Sequence, residues 1–497
     1  MDFMASEGAM RKSQVTEAAS YLIRMGASHW FEHSIPQFKS IHPTSLYFLT
    51  MCSQSSLVAR RKTAVVLGLA YGGAKAAKVL AAGLPADWRL IAIDRNSHMN
   101  HVYVMPRFAV LPGHEYKAFI PNTNVFGEGD TRKPNHITLK TTVTSIKPTH
   151  ITVSDAFPEL GIHSKEIAFD YAIYALGANL PAPLDLWGKD PREAVKPGDE
   201  KVWTYNGTKT DGMAWLQERQ KVIEAAPTVL VVGGGALGIQ FATDIKAIYP
   251  EKKVTLLHSR KQLLPRFDRE MHDEIRKTME LQEIDLILGE RLDISTVDEE
   301  KKVVNTQGQR VVRTEKGREI AADLLLLCTG QRANTKMLEE MDAATINPEN
   351  GRAFIQRTMQ LTTSPPIDSL TTTFDKSVSV SNGAPGDSGN GSSTYTNIFV
   401  VGDAADAFGA IQAGHTAWGQ AIVAANNVVT LVTKSGEELE EYTSGIPSIK
   451  VSLGITKSVY HSRGTFGIKD DGVADLRAAS MWGVYEAKAE SDEDLRL

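Results

Sequence analysis

Two glycine clusters constrain the fold of this chain more than any other feature. The stretch "TAVVLGLAYGGAKAAKVL" covers residues 63–80, and "PTVLVVGGGALGIQFATDI" covers residues 227–245. In each, a run rich in β-branched residues ends in glycines and passes into a helical pattern. This is the sequence signature of a strand, a phosphate-binding turn and a helix. The chain is therefore predicted to contain two nucleotide-binding units.

A second strand follows each cluster at nearly the same offset, "RLIAID" in the first unit and "KVTLLHS" in the second. A glycine turn at a helix N-terminus offers a pyrophosphate close backbone N–H donors and a favourable dipole. Asp94 ends the first of these strands, where a carboxylate can accept hydrogen bonds from an adenosine ribose. One GxGxxG is weak evidence, but two with matched spacing predict an α/β fold with two Rossmann-like, three-layer domains.

The two clusters differ at one glycine. The second completes GxGxxG with Gly233, Gly235 and Gly238. In the first, Gly68 and Gly73 hold the outer positions, Ala70 replaces the middle glycine, and Gly72 adds a flexible residue. We expect the Ala70 methyl to narrow the approach to a phosphate, with a small local shift that the site tolerates.

Composition excludes several other classes. A chain of 497 residues, 42% of them hydrophobic, predicts a globular protein of two or three domains. The net charge of −5, without a long basic block, argues against a nucleic-acid partner. Cys52 and Cys328 are far apart and lack CxxC spacing, so we expect a reducing compartment and no redox dithiol. No stretch reaches 18 uninterrupted apolar residues, so no spanning helix is expected.

The glycine clusters and the connections between them divide the chain. We expect a first dinucleotide-binding domain at 63–212 and 336–435, interrupted by a second at 213–335, and a small α+β subdomain at 436–497. Residues 1–62 are predicted to be an accessory or disordered extension, with a peripheral membrane helix as the alternative. Because the cysteines favour a reducing compartment, we expect a cytoplasmic protein, with a membrane surface or the mitochondrion as alternative locations. A monomer or a homodimer is expected.

Three further turns follow the predicted strands in a set order: Ala175-Leu176-Gly177, Thr329-Gly330 and Gly402-Asp403. With the two clusters, this order resembles the two-dinucleotide-binding flavoproteins. These include pyridine-nucleotide-disulfide reductases, type II NADH:quinone oxidoreductases, ferredoxin reductases and apoptosis-inducing-factor-like enzymes. The resemblance covers about residues 63–435. The segments "SHMNHVYVMPRFAV", "VTLLHSR", "GDAADAFGAIQAGHTA" and "GIPSIKVSLGITKSV" look most like the ferroptosis-suppressor branch, in fungal-type form. That branch reduces quinones with NAD(P)H through FAD.

The resemblance implies that the first cluster holds FAD and that Gly402 and Asp403 approach its ribityl chain and pyrophosphate. It also implies that Arg107 and residues 411–415 lie near the isoalloxazine. Leu176 departs from the pattern, which usually has Thr or Ser there. The predicted cofactor-binding residues are Gly68, Ala70, Gly72, Gly73, Asp94, Arg95, Arg107, Val143, Ala175, Gly177, Gly233, Gly235, Gly238, Ser259, Arg260, Thr329, Gly330, Gly402 and Asp403. No metal site is predicted.

The nicotinamide cofactor is suggested by the end of the second unit's second strand. An acid there would bind a ribose 2′-hydroxyl and repel a 2′-phosphate. This chain instead has His258-Ser259-Arg260-Lys261, which offers a hydroxyl and two cations. The sequence favours NADPH, or use of both NADPH and NADH. The alternative is that the two cations are solvated charges at a strand end.

Two residues are candidates for catalysis. Gln240 follows Gly238 by two, where related enzymes often place a glutamate, and its amide could orient the nicotinamide carboxamide. His415, with Trp418 beside it, could line the acceptor face and pass a proton to a quinone oxygen. Simple packing is the alternative for both. His101 is a weaker candidate for the acceptor face.

The predicted reaction is transfer of a hydride from NAD(P)H to FAD, followed by transfer of electrons to a quinone-like acceptor. Residues 95–125 contain no cysteine pair, which argues against disulfide and sulfide chemistry. One alternative is a reductase of an iron–sulfur protein, which would need a basic face around the flavin edge. The other is a slow-turnover flavin-bearing signalling or binding protein.

Overall fold

The computed structural model of this protein describes residues 61–129, 132–188, 204–298, 301–364 and 393–496. Nearly all of the predicted extension at 1–62 lies outside these described residues.

Strands and helices alternate along much of the chain. The strands before residue 188 are β1 (Thr63–Leu67), β2 (Arg89–Asp94), β3 (His98–Asn100), β4 (Phe119–Pro121), β5 (His136–Lys140), β6 (Val143–Lys147), β7 (His150–Val153), β8 (Glu166–Ala168) and β9 (Tyr171–Tyr174). Those of residues 228–327 are β10 (Thr228–Val232), β11 (Lys253–His258), β12 (Asp285–Leu288), β13 (Val303–Val304), β14 (Arg310–Arg313), β15 (Glu319–Ala322) and β16 (Leu324–Leu327). Those after residue 327 are β17 (Gln360–Thr362), β18 (Thr394–Val400), β19 (Ile449–Ser452), β20 (Lys457–Ser462) and β21 (Thr465–Asp470). The α-helices are α1 (Tyr71–Gly83), α2 (Met105–Phe108), α3 (Lys209–Ala225), α4 (Ala236–Ile248), α5 (Arg269–Leu281), α6 (Lys336–Met341), α7 (Gly414–Thr433) and α8 (Ser480–Val484).

The first sheet has six strands in the order β17-β18-β9-β1-β2-β5. Its pairs are parallel except β17 with β18. Every residue of β1 is buried, as expected for a central parallel strand covered on both faces. A methyl group on Gly83 would lie 2.6 Å from a methyl carbon of Val429, so glycine there lets α1 and α7 pack closely.

The second sheet has four parallel strands in the order β12-β11-β10-β16. The pairing of β10 with β11 has the same register as that of β1 with β2 in the first sheet. Five consecutive residues of β10 pair with β11 from Lys253 to Leu257, just as five of β1 pair with β2 from Arg89 to Ile93. These two strand–turn–helix–strand units confirm the predicted α/β class with two Rossmann-like folds.

The first sheet takes strands from both sides of residues 228–327, because β17 and β18 join β9 at one edge. The exact domain boundaries remain a prediction. An antiparallel sheet, β19-β20-β21, forms near the C-terminus. One hydrophobic cluster joins this sheet to α2 and α4, through Val451, Met105 and Ile239 among others. The C-terminal strands therefore share a core with the second nucleotide-binding unit.

Candidate active site

A cleft of about 1080 Å³ connects the two glycine clusters. Residues 68–73 are called the first cradle and residues 233–238 the second cradle. The remaining walls include the ends of β2, β9, β16 and β18, the start of α7, and residues 448–450, 476–477 and 480–481. Because parallel strands bring their carboxyl ends to one edge of a sheet, the turns that follow them meet there.

The first cradle needs glycine at its outer positions. Gly68 has φ +88°, and a methyl group on it would lie 2.6 Å from the carbonyl oxygen of Ala175. A methyl group on Gly73 would lie 1.7 Å from the carbonyl oxygen of Gly68. Ala70 is different, because it has φ −73° and ψ −159° and is exposed at the N-cap of α1. Its backbone does not require glycine, and Ala70 lines the cleft.

The second cradle has the same geometry. Gly233 has φ +125°, and a methyl group on Gly238 would lie 1.9 Å from the carbonyl oxygen of Gly233. Gly235 is the N-cap of α4 with φ −88°, and a methyl group there would meet nothing within 4 Å. Gly235 therefore leaves space for a ligand, whereas the outer two glycines are required by backbone packing. Gly73, Gly233 and Gly238 lie behind the surface of the cleft.

Asp94, the last residue of β2, binds the backbone of the first cradle. Its Oδ2 accepts a hydrogen bond from the backbone N–H of Leu69 at 2.7 Å, and its Oδ1 accepts one from that of Asn96 at 2.7 Å. Burial raises the pKa of the Asp94 carboxyl, although these N–H groups and Arg95 oppose the effect. The carboxyl also lines the cleft, where ribose hydroxyls could reach it.

His258 takes the corresponding place in the second cradle. It ends β11, and its Nδ1 accepts a hydrogen bond from the backbone N–H of Gly234 at 3.1 Å, while Nε2 donates to the carbonyl oxygen of Gln262. Gly234 follows Gly233 as Leu69 follows Gly68, so an imidazole replaces the carboxylate. Burial, with Arg260 nearby, lowers the pKa of His258, which favours the neutral ring.

Ser259 and Arg260 follow this histidine but do not line the cleft. Ser259 is half-buried, and Arg260 and its neighbour Lys261 are exposed. Neither of these two cations forms an ion pair with a carboxylate in the part of the chain that the structure describes. They lie just beyond the end of β11.

The turns predicted from the sequence converge on the cleft. Each of the following residues lines it: Arg95, Val143, Ala175, Gly177, Thr329, Gly330, Gly402 and Asp403. The side-chain amide of Gln331 donates to Asp403 Oδ2 at 3.2 Å, which ties two of these turns together. Burial raises the pKa of Asp403. Leu176 contributes its carbonyl oxygen, which accepts from Asn334 Nδ2 at 2.9 Å, so its hydrophobic side chain does not break this junction.

Trp187 is a cleft residue that the sequence did not reveal. The guanidinium of Arg95 stacks 4.5 Å from the centre of its ring, and its Nε1 donates to Asn96 Oδ1 at 3.1 Å. Tyr205 packs edge-on against it, with the ring centres 4.8 Å apart. These aromatic residues come from a segment rich in Pro, Gly and charge, which offers no periodicity that could have identified them.

The structure corrects the expected position of Arg107. It is not part of the cleft lining; its side chain is 0% exposed and binds Asp244 through two hydrogen bonds of 2.8 and 2.9 Å. A buried guanidinium is stable only where its N–H donors are satisfied. Asp244 and backbone carbonyl groups provide those acceptors away from the cleft.

Both catalytic candidates line the cleft. Gln240 is 4% exposed, and its Nε2 donates to Ser452 Oγ at 3.1 Å. His415 is the second residue of α7 and is exposed. Trp418 is half-buried and is not among the lining residues. The catalytic roles of Gln240 and His415 stay predictions.

Tyr71 and His101 form a hydrogen-bonded pair in the cleft wall. The Tyr71 hydroxyl lies 2.8 Å from His101 Nδ1, and both side chains line the cleft. Tyr71 is the first residue of α1, next to Ala70, and no sequence pattern assigned it a role. Only the fold shows that it meets His101, which is 30 positions further along the chain.

Acidification is expected to destabilise the fold through two histidines of this wall. Burial lowers the pKa of His98 and of His101 to about 4. An unfolded imidazole titrates near 6.5, so between pH 6.5 and 4 the unfolded chain binds protons that the folded chain does not. From pH 7 to pH 5, each histidine should lower the free energy of unfolding by about 2 kcal/mol.

Chemical denaturation at pH 7 and pH 5 measures this difference. His101→Gln should remove about half of the part due to the two histidines, because the neutral amide takes up no proton. His163→Gln, at an exposed position, is the matched control and should retain the wild-type pH dependence. An equal pH dependence in the wild type and in His101→Gln would contradict the prediction.

Other chemistries find little support in the cleft. No group of three His, Cys, Asp or Glu residues suitable for a metal ion occurs within the described ranges. Cys328 lines the cleft, but burial raises the pKa of its thiol, which disfavours the reactive thiolate. Cys52 lies outside the described residues. None of the described helices is both long and apolar enough to cross a bilayer.

The residues present fit two dinucleotides. Each cradle has backbone N–H groups at a helix N-terminus and glycines that admit no side chain. The carboxyl of Asp94 lies beside the first cradle, where it could accept hydrogen bonds from a ribose. The cleft is continuous between the cradles, so rings bound from the two sides would meet within it.

Comparisons with known proteins agree with this geometry. Residues 62–367 match the family described as pyridine nucleotide-disulphide oxidoreductase. The chain is 40% identical to Fe-regulated protein 8 of Mycosarcoma maydis over 428 residues, which cover 85% of this chain and 94% of that protein. It is 26% identical over 412 residues to ferroptosis suppressor protein 1 of Taeniopygia guttata, covering 81% and 89% of the two chains.

A solved structure shows the same fold. The sulfide:quinone oxidoreductase of the hyperthermophilic bacterium Aquifex aeolicus is 15% identical and aligns with a TM-score of 0.57, over 87% of this chain and 94% of that one. The family match covers more than half of the chain, and the Mycosarcoma relative aligns over nearly its whole length. The chain therefore belongs to the pyridine nucleotide-disulphide oxidoreductase family and is an FAD-dependent NAD(P)H oxidoreductase.

Proposed function

We propose that this enzyme takes a hydride from NADPH and passes the electrons to a quinone-like small molecule. FAD, when bound, supplies a ring that accepts the hydride and releases the electrons. The observation that carries the proposal is the single cleft that joins both cradles and is lined without a pair of cysteines among the described residues. A relative in fold, the sulfide:quinone oxidoreductase, acts on a quinone.

The first cradle would hold FAD. Its backbone N–H groups at the start of α1 would bind the pyrophosphate, and Asp94 would accept from ribose hydroxyls. Gly402 and Asp403 would lie along the ribityl chain, since both line the cleft beyond the first cradle. Arg95 and Trp187 form a stacked wall beside Asp94, which suits the adenine.

The charges around the cleft favour a small acceptor over an iron–sulfur protein. Four cations line it, Arg95, Lys336, Lys450 and Arg477, together with three carboxylates, Asp94, Asp185 and Asp403. A reductase of an acidic redox protein would need a predominantly basic rim. The mixed charges along the cleft, with apolar side chains such as Met99, Val102 and Met481 among them, suit an uncharged aromatic ring instead.

The second cradle favours NADPH. His258 uses both ring nitrogens within the protein and brings no negative charge to the place where Asp94 stands in the first cradle. Beyond it, Ser259, Arg260 and Lys261 offer a hydroxyl and two cations without an ion-pair partner in the described part of the chain. A 2′-phosphate placed beside β11 would form charge-assisted hydrogen bonds with these donors. A neutral 2′-hydroxyl would interact with them more weakly.

Gln240 and His415 would act from two different helices that line the cleft, α4 and α7. Ser452 holds the Gln240 amide, which could then orient the nicotinamide carboxamide. His415 is exposed at the start of α7, so it can exchange protons with water and deliver one to a quinone oxygen.

An acceptor panel tests the proposal. After anaerobic reduction by NADPH, mixing with ubiquinone or menaquinone analogues should reoxidise the flavin rapidly, whereas reduced iron–sulfur proteins should form slowly. Rapid turnover only with an iron–sulfur protein would identify a reductase of that kind. A long-lived reduced enzyme with every acceptor would identify a signalling or binding protein.

His415→Gln tests the role of the histidine. The variant should reduce quinones about 10- to 100-fold more slowly, since general acid catalysis by a histidine is lost. Ferricyanide takes electrons without protons, so its reduction should fall much less. The ratio of the quinone rate to the ferricyanide rate is the measurement, and an unchanged ratio would exclude proton delivery by His415.

A further inference from the structure

Arg107 joins three parts of the molecule at one buried point. Its Nε and Nη2 bind the two carboxylate oxygens of Asp244 in α4 at 2.8 and 2.9 Å. Nη2 also donates to the carbonyl oxygen of Gly454, and Nη1 donates to those of Ile455 and Ala474. The side chains of Arg107 and Asp244 are both 0% exposed. A single guanidinium thus connects α2, α4 and the C-terminal segment.

The helix that Arg107 holds is the one that begins at the second cradle. Asp244 lies one turn after Gln240 on the same face of α4. Gln240 in turn donates a hydrogen bond to Ser452 of β19, so this face of α4 also contacts the C-terminal sheet at a second point. The turn at Gly454, with φ +80°, packs so closely that a methyl group on it would lie 3.3 Å from Cβ of Ala247. Contacts from Gln240 to Ala247 therefore hold most of α4 against the C-terminal segment.

The segment that carries Arg107 also lines part of the cleft. Arg107 lies in α2, and two residues just before it, Tyr103 and Pro106, line the cleft. Hydrophobic contacts alone could bury these segments together, but they do not fix rotation. A planar, two-point guanidinium–carboxylate contact fixes both distance and orientation. The pair therefore fixes α4 relative to α2 and to the cleft wall just before α2.

We propose that Arg107 and Asp244 are a positioning pair for hydride transfer. Neither side chain touches the nucleotide cleft. They act by fixing α4, and with it the second cradle and Gln240, relative to the segment before α2, whose His101 binds Tyr71 of the first cradle. A misplacement of about 1 Å between reacting groups can slow a reaction about 100-fold, so the pair should control the rate of transfer more than the affinity for NADPH. The proposal does not depend on the identity of the acceptor.

Anaerobic stopped-flow reduction by NADPH tests the pair. Arg107→Lys keeps the charge but loses the two-point contact, and Asp244→Asn keeps the shape but loses the charge. Each should lower the limiting rate of flavin reduction about 20-fold or more. Calorimetry should give NADP⁺ dissociation constants within about threefold of wild type, because the cradle itself is intact. The double variant should be little slower than either single variant.

Lys457→Met is the matched control. Lys457 binds Glu274 of α5 at 2.5 Å, so its loss weakens the same C-terminal sheet against the second domain without touching α4. It should leave the limiting rate within about twofold of wild type. Asp244→Glu retains the charge pair and serves if a neutral variant fails to fold; its longer side chain should still slow reduction.

Three results would overturn the proposal. One is a folded Arg107→Lys or Asp244→Glu that reduces its flavin at the wild-type rate. Another is an equal loss of rate in Lys457→Met, which would indicate general loosening. The third is a loss confined to NADP⁺ affinity, which would make Arg107 part of nucleotide binding instead.

Discussion

His258→Asp is expected to lower kcat/KM for NADPH about 100-fold while leaving that for NADH equal or higher. The carboxylate would stand where Asp94 stands in the first cradle and could accept the same kind of backbone hydrogen bond, from Gly234. It would also place a negative charge beside the 2′-phosphate. A repulsion of roughly 2–3 kcal/mol across a partly screened distance accounts for a ratio of this size. Steady-state kinetics with both cofactors measure it.

His258→Asn is the matched control, since its side chain can accept from Gly234 without a charge. It should lower both kcat/KM values modestly and keep the preference. Arg260→Ala removes a cation from the same site and should lower kcat/KM for NADPH but not for NADH. An equal loss for NADPH in the aspartate and asparagine variants would show that charge at this position does not set the preference. An unchanged preference for NADPH over NADH in Arg260→Ala would show that Arg260 does not bind the 2′-phosphate.

Gly73→Ala is expected to give a protein that does not retain FAD and is less stable by at least about 2 kcal/mol. The new methyl group would lie 1.7 Å from the carbonyl oxygen of Gly68, and a backbone atom cannot move aside as a flexible side chain can. The helix must therefore separate from the turn that binds the pyrophosphate. The flavin absorbance of the purified protein and its thermal unfolding midpoint measure the effect.

Gly238→Ala provides the reciprocal control, because its methyl group would lie 1.9 Å from the carbonyl oxygen of Gly233 in the second cradle. That variant should keep its flavin and lose reduction by NADPH. Ala70→Gly should retain FAD, since the N-cap backbone suits either residue. Loss of flavin from Gly238→Ala but not from Gly73→Ala would reverse the assignment of the two cradles.

Much of the site follows from local sequence. The α/β class, the flavoprotein resemblance, the enzyme class and the FAD and NAD(P)H cofactors are confirmed. A strand, a glycine turn and a helix leave a strong local pattern, because Gly73 and Gly238 are required by contacts with the nearby carbonyl groups of Gly68 and Gly233. The individual site residues remain predictions. The position of Arg107 was wrong, because a basic residue near a predicted flavin site does not reveal whether its partner is a cofactor or a buried carboxylate.

Taken alone, the sequence determined the two strand–turn–helix units, the order of the turns that meet at the sheet edge, and the absence of an acid after β11. These depend on short-range periodicity and backbone geometry, which are written locally in the chain. The tertiary structure alone decided that His258 accepts a hydrogen bond from the backbone N–H of Gly234, that Tyr71 meets His101, and that Arg107 binds Asp244 across 137 positions. Such pairings depend on how distant segments pack, and no local pattern encodes which buried donor will meet which acceptor.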